Sequence, residues 1–283
     1  MGRNASRRFV AGNTMEDVMT ASKAMNDAGM AVTMDVLGEN VTNPDEARES
    51  VGAYHQLLDE ITQRKLNANV SVKLTHVGFD IDRQMCRDLV CGLVRHAADL
   101  NNFVRIDMEG SSYTQSTLDL VKQLHSAVQP ADAVGVVVQA YLYRSEKDVQ
   151  DLCAQGIRIR LCKGAYDEPR NIAFPKKRDV DANYIKLAKM LLNSGIYHGI
   201  ATHDQRVIEE IICFAGKQKI PPSAFEFQML YGIRRDLQQQ LVREGWRVRA
   251  YIPFGTEWYP YFMRRLAERP ANALFIAKNF FRS

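Results

Sequence analysis

Short β-branched runs alternate with longer stretches of helical period along the chain, a rhythm that predicts parallel α/β architecture. Eight runs read as strands: near Ala31–Leu37, Val70–Leu74, Phe103–Met108, Val134–Ala140, Ile157–Cys162, Gly199–Thr202, Phe225–Met229 and Val248–Ile252. Between them, helical patterns cover Pro44–Leu66, Gln84–Leu100, Gln115–Val128, Glu146–Ala154, Asp181–Asn193, Gln205–Phe214 and Asp236–Glu244. Asn43-Pro44-Asp45-Glu46 joins an N-cap to a proline at the first helical position and acids in the first turn. Gly195, Gly216 and Gly245 are expected to close other helices. Eight strand–helix units without an intervening linker predict one (β/α)8 barrel over residues 1–283, with its chemistry at the C-terminal strand ends. An open doubly wound sheet is the alternative, disfavoured because no G-x-G-x-x-G follows the first strand.

The parity of the strands carries further information, because successive side chains point to opposite faces. One parity is apolar: Val70, Val72 and Leu74; Val104 and Ile106; Val136 and Val138; Ile157, Ile159 and Leu161; Val248, Ala250 and Ile252. These are expected to face the surrounding helices. The other parity is polar: Ser71, Lys73 and Thr75; Arg105, Asp107 and Glu109; Gln139; Arg158 and Arg160; Arg249 and Tyr251. Barrel interiors are normally filled by branched aliphatics, so this one requires mutual ion pairs, a bound polar ligand, or both.

Composition narrows the class. With 46% hydrophobic and 25% charged residues in 283, the chain is an ordinary globular protein. A net charge of +4, evenly scattered, does not announce nucleic acid. The basic run Lys176-Lys177-Arg178 reads as a solvated loop, with a nonenzymatic anion binder as the weaker account. Five cysteines without a C-x-x-C pair argue against a disulfide framework and for a reducing, cytoplasmic setting. The histidines have no ligand spacing with one another or with cysteine, so no metal site is expected.

Several residues are candidates for chemistry. Lys73 suits an anion, a Schiff base, or simple pairing with Asp107 on the next strand. Asp107 and Glu109 share a face and suit acid–base work or the balancing of nearby cations. In Arg158–Pro169, Arg160, Lys163 and Gly164 follow one another closely, as a phosphate or pyrophosphate site would require. Thr202-His203-Asp204 opens a helix where hydroxyl, imidazole and helix N-terminus can meet an anion, or where Thr202 or Asp204 is only a cap. Tyr261 lies three and four positions before Arg264 and Arg265, so together they suit a carboxylate clamp walled by an aromatic ring.

Taken together, these residues resemble the proline dehydrogenase family. The likeness runs through Arg7–Thr14 (RRFVAGNT), Leu37-Gly38-Glu39, Lys73–Thr75 (KLT), Val104–Glu109 (VRIDME) and Val138–Arg144 (VQAYLYR). It continues through Arg160–Tyr166 (RLCKGAY), Ala201–Asp204 (ATHD), Phe225–Gly232 (FEFQMLYG), Tyr251–Gly255 (YIPFG) and Tyr261–Leu266 (YFMRRL). The short spacing from Tyr251 to Tyr261 resembles that of the bacterial single-function enzymes. Two departures stand out: Cys162 replaces a common aliphatic residue, and the family usually has additional helices before the position of Arg7.

The resemblance implies a distorted, TIM-like (β/α)8 barrel with noncovalent FAD at the strand C-termini and the final helix over the active site. It implies oxidation of L-proline to Δ1-pyrroline-5-carboxylate, with a hydride leaving C5 for the flavin and the electrons passing to a membrane quinone. Loose attachment to the inner membrane would follow, and the apolar stretch Ala273–Phe281 either touches lipid or packs. Carried over by residue, Arg264 and Arg265 hold the substrate carboxylate with Lys73, while Tyr166, Leu230, Tyr251 and Tyr261 wall the ring. Asp107 matches an acid beside the substrate, and Arg160 matches the arginine near the flavin's reactive nitrogen. Met108, Gln139, Lys163, Gly164, Ala165, Thr202 and His203 contact FAD, and Glu39 pairs with Arg264 to gate the site. The competing reading is a Schiff-base or phosphate-binding barrel enzyme that uses Lys73 or Lys163.

Overall fold

The computed structural model describes residues 8–259, 261 and 263. Helix α1 (Met15–Asp27) leads into β1 (Ala31–Val36), followed by α2 (Pro44–Gln63), β2 (Ala68–Val72), α3 (Arg83–Asp99) and β3 (Val104–Ile106). Next come α4 (Ser111–Ala127), β4 (Val134–Gln139), α5 (Ser145–Ala154), β5 (Arg158–Cys162), α6 (Lys177–Asn193) and β6 (His198–Ala201). The described series ends with α7 (Gln205–Lys217), β7 (Phe225–Leu230), α8 (Arg235–Arg243) and β8 (Val248–Phe254). The strands pair in parallel in chain order, and β8 returns to β1 from Ala31↔Arg249 to Val36↔Phe254, closing the barrel. The barrel was expected; the open sheet is excluded.

The apolar parity forms the layer between barrel and helices. Val70, Val72, Val104, Ile106, Val136, Ile159 and Leu161 are fully buried against helix residues such as Leu57, Leu93 and Leu187. Burying each such side chain stabilises the fold by roughly 1.5–3 kcal/mol. The polar parity turns inward. Arg160 on β5 touches Thr33 on β1, Ser71 on β2 and Gln228 on β7, contacts possible only across the barrel's interior. Gly199 on β6 makes room for this, since a Cβ there would collide with the Gln228 amide.

Local signals explain the element ends and several differences from expectation. Asn43 caps α2 by accepting from the Asp45 N–H at 2.9 Å, with Pro44 at the first position. Strand β2 stops at Val72 rather than Leu74, because Leu74–Val77 winds into a 3-10 turn that leaves Lys73 at the strand end. Gly195 and Gly245 take left-handed conformations after their helices, but Gly216 does not end α7. The reversal there falls on Lys219, at φ 57°. Helix α1 had no counterpart among the predicted patterns. Thr14 and Asp17 form its capping box, the Thr14 hydroxyl accepting from the Asp17 N–H at 3.2 Å.

Candidate active site

At the C-terminal strand ends, one carboxylate gathers the charged parity. Asp107, just after β3, accepts from Ser71 Oγ at 2.6 Å and Arg160 Nη1 at 2.8 Å on one oxygen, and from the Tyr251 hydroxyl at 2.8 Å on the other. Lys73 Nζ stands 3.9 Å from the same carboxylate. The nearest partner of Lys73 is a residue absent from the sequence-based candidates: Asp35 at the end of β1, 2.9 Å away and fully buried. Pairing with Asp107 alone is therefore corrected to a lysine shared by two carboxylates. Burial works against the charge on Lys73, but Asp35, then Asp107 and Glu39, outweigh it and drive its pKa up. The ammonium is thus held protonated. Burial, with Asp107 and Asp35, likewise pushes the Tyr251 pKa up and keeps the phenol neutral.

Arg160 is fixed on three sides. Besides Asp107, its Nε donates to Gln228 Oε1 at 2.5 Å and its Nη1 to Ser71 Oγ at 3.0 Å, while the guanidinium lies 5.2 Å from the centre of the Tyr251 ring. Charge-assisted bonds of this kind are roughly twice as strong as neutral ones. Asp35 and Gln228 are positioning residues that sequence reasoning missed. The signal was present: both lie on the inward parity of their strands, Asp35 beside Thr33 and Gln228 beside Glu226.

Strands β4 to β6 present a second group. Gln139 Nε2 donates to the Glu109 carbonyl at 2.8 Å, and the Glu109 carboxylate accepts from the Thr75 hydroxyl at 2.6 Å. Lys163 Nζ donates to Asp181 at 2.5 Å and Asp204 at 3.0 Å, so its charge is already shared between two carboxylates. Gly164 sits at φ 117°, and a Cβ there would strike the ring of Tyr141, so only glycine fits. Ala165 and Tyr166 follow on the same loop. Thr202 Oγ1 accepts from the Asp204 N–H at 3.1 Å, and His203 Nε2 accepts from the Leu230 N–H at 2.8 Å, tying the β6 loop to the end of β7. Met108 is buried in the hydrophobic core.

The structure thus brings Lys73, Asp107, Arg160 and Tyr251 into one network and sets Gln139, Lys163, Gly164, Thr202 and His203 around the adjoining strand ends. Tyr261 packs with Phe9, Val10 and Leu37 at the same end of the barrel, and Glu39 follows β1 there. Arg264, Arg265, the body of the final helix and Ala273–Phe281 lie outside the described residues. Among the described residues, no helix is long and apolar enough to cross a membrane.

A closed parallel barrel with a charged, cross-linked interior opening at the C-terminal strand ends has the architecture of TIM-barrel enzymes. Within that class, the chain belongs to the proline dehydrogenase family, whose pattern matches residues 18–278. It is 40% identical over 276 residues to proline dehydrogenase 1 of Bacillus subtilis, covering 98% of this chain and 90% of that one. Proline dehydrogenase of Deinococcus radiodurans is 40% identical over 279 residues, covering 97% and 89%. Among solved structures, proline utilization A from Bdellovibrio bacteriovorus inactivated by N-propargylglycine superposes with a TM-score of 0.87 at 27% identity. The match covers 93% of this chain and 32% of that larger protein. Similarity along nearly the full length of the shorter enzymes identifies the chain with the bacterial monofunctional type.

Proposed function

We propose that the chain oxidises L-proline to Δ1-pyrroline-5-carboxylate with noncovalent FAD and delivers the electrons to a membrane quinone, in peripheral contact with the bilayer. The observation that carries this reading is the joint attachment of Arg160, Lys73 and Tyr251 to Asp107 in a chain of the proline dehydrogenase family. The residues on β4 to β6 suit the cofactor. An amide, a hydroxyl and a backbone turn that admits only glycine lie on neighbouring strand ends, a donor set for a pyrophosphate and a polar ring. Met108, Gln139, Lys163, Gly164, Ala165, Thr202 and His203 would hold FAD, and Arg160 would lie beside its reactive ring. When bound, the flavin supplies a two-electron acceptor for the hydride from proline C5.

The chain's own residues do the rest. Lys73, kept protonated by Asp35 and Asp107, contributes positive charge toward the substrate carboxylate, with Arg264 and Arg265 completing the proposed clamp. Tyr166, Leu230, Tyr251 and Tyr261 wall the ring, and Glu39 pairs with Arg264 to gate entry. Arg160, immobilised by Asp107 and Gln228, places a fixed positive charge where negative charge develops, so no reorganisation is needed during the reaction. Orientation of C5 by the clamp supplies much of the rate. The Schiff-base alternative loses support because a protonated lysine has no lone pair for a carbonyl, and Lys163 is committed to Asp181 and Asp204.

Incubating the purified protein with L-proline and a water-soluble quinone tests this reading. Equimolar formation of reduced quinone and a cyclic imine trapped by o-aminobenzaldehyde is expected; quinone reduction without the imine, or neither product, would overturn it.

A further inference from the structure

The opposite, N-terminal mouth of the barrel carries a second concentration of cations. Arg105, Arg158, Arg247 and Arg249 gather there, with Glu226 and Asp132 as the nearby carboxylates. Two of the arginines have structural duties. Arg105 Nη1 donates to the carbonyls of Arg158 at 2.6 Å and Val136 at 3.1 Å. Arg249 donates to Glu226 at 2.6 Å and to the Val32 carbonyl at 2.6 Å. Glu226 also accepts from Gln228 and from the Tyr197 hydroxyl.

Arg158 is different. Its guanidinium lies near the rings of Phe103, at 4.4 Å, and Tyr197, at 5.1 Å. Among the described residues, no carboxylate oxygen lies within 4.0 Å of it, and its buried Nε has no hydrogen-bond partner. The Nε of Arg105, a residue only 3% exposed, is also buried without a partner. Arg247, exposed, lies 5.5 Å from the same Tyr197 ring. Burial, then the neighbouring guanidinium groups of Arg160 and Arg158, push the Arg105 pKa down, while Glu226 opposes them. Arg158 and Arg249 line two adjoining clefts of about 590 and 410 Å3, the larger of which is also bordered by Lys65, Asn67, Asn69 and Asn102.

We propose that this mouth is a binding site for a phosphate group, with Arg158 and Arg247 as its principal ligands. A planar guanidinium positioned by aromatic rings matches two phosphate oxygens at once, and its loss of rotamer freedom is already incurred in the empty site. A dianion also relieves the repulsion among the clustered arginines. The clefts fall within the roughly 300–1,000 Å3 usual for small-molecule sites, so a phosphate monoester fits as well as the free ion. The N-terminal face of such barrels generally governs stability rather than chemistry. Occupancy is therefore expected to act on the folding equilibrium by mass action.

Thermal unfolding of the protein as purified, in inorganic phosphate, in glucose 6-phosphate and in sodium chloride of matched ionic strength, tests the site. A saturable rise in Tm with either phosphate compound, and none with chloride, is expected. A response to both, to the ester alone or to the free ion alone identifies the source of the phosphate group. Arg158→Met should abolish the saturable part. Arg247→Met, at an exposed side chain stacked on Tyr197, should weaken binding at least about threefold. Turnover of L-proline without phosphate should be unchanged in Arg247→Met. A Tm that follows ionic strength alone, or a saturable response undiminished in Arg247→Met, would overturn the proposal.

Discussion

Replacing Asp107 by Asn keeps the shape of the hub and removes its charge. In the parent, the carboxylate sits 2.8 Å from Arg160 and 3.9 Å from Lys73. At an effective dielectric constant near 20, these attractions are about 6 and 4 kcal/mol before desolvation is subtracted. Relief of the carboxylate's own desolvation offsets a large part, and removal of one partner from a buried pair leaves a net loss of about 3–5 kcal/mol. Lys73 retains Asp35, whereas Arg160 retains only neutral acceptors, so the loss should fall near the lower end, about 3 kcal/mol. For a chain of this size that lowers Tm by about 5 °C. Arg160 and Tyr251 also lose their common anchor, and misplacement of this order reduces kcat/KM about 100-fold. Urea unfolding and steady-state turnover of L-proline measure both effects, with Ser71→Ala, which deletes one neutral hydroxyl, as the comparison. An Asp107→Asn protein no less stable than Ser71→Ala, with kcat/KM within about threefold of the parent, would refute the hub.

Asp35→Asn removes the nearest carboxylate from Lys73 and so lowers the lysine pKa; the alkaline limb of the kcat/KM profile should move to lower pH, and an unmoved limb would contradict the assignment. Gly164→Ala forces a side chain toward Tyr141 at positive φ; absorbance of the purified protein should show much reduced flavin content, and full occupancy would exclude a tight cofactor turn. Arg264→Met should raise the KM for proline sharply while flavin stays bound, and an unchanged KM would remove Arg264 from the clamp. Burial, then Lys73, lowers the His76 pKa from 6.5 to about 4. The unfolded chain therefore takes up this proton first as pH falls, so about 3 kcal/mol of stability present above pH 6.5 should be lost by about pH 4. Urea titrations across that window should show a shallower loss in His76→Gln; the same slope would contradict the burial argument.

The barrel and the inward-facing charges were legible because a strand's side-chain period is two, and β2, β3, β5 and β8 repeat one pattern of apolar outside and polar inside. Asp35 and Gln228 obeyed that pattern, alternating with Thr33 and Glu226, but sat in mostly apolar stretches, AVTMDVL and FEFQM, where two polar residues are easily passed over. The register of β1 with β2 and of β7 with β8 reveals them. The partners of Lys163 were not legible locally, since Asp181 and Asp204 arrive from two later segments, 18 and 41 positions away. Helix ends read by glycine alone failed at Gly216, because Lys219 accepts the left-handed turn itself. Helix α1 buries few side chains, Val18, Met19 and Ser22, so its period was faint and only the Thr14–Asp17 capping box marked it.

Anaerobic titration of the purified protein with L-proline, followed by the visible flavin spectrum, addresses the proposed oxidation most directly. The protein should be yellow as isolated, bleach in proportion to the L-proline added, and regain its colour when a quinone is supplied. A colourless protein that takes up no FAD, or a flavin spectrum that excess L-proline leaves unchanged, would contradict the account.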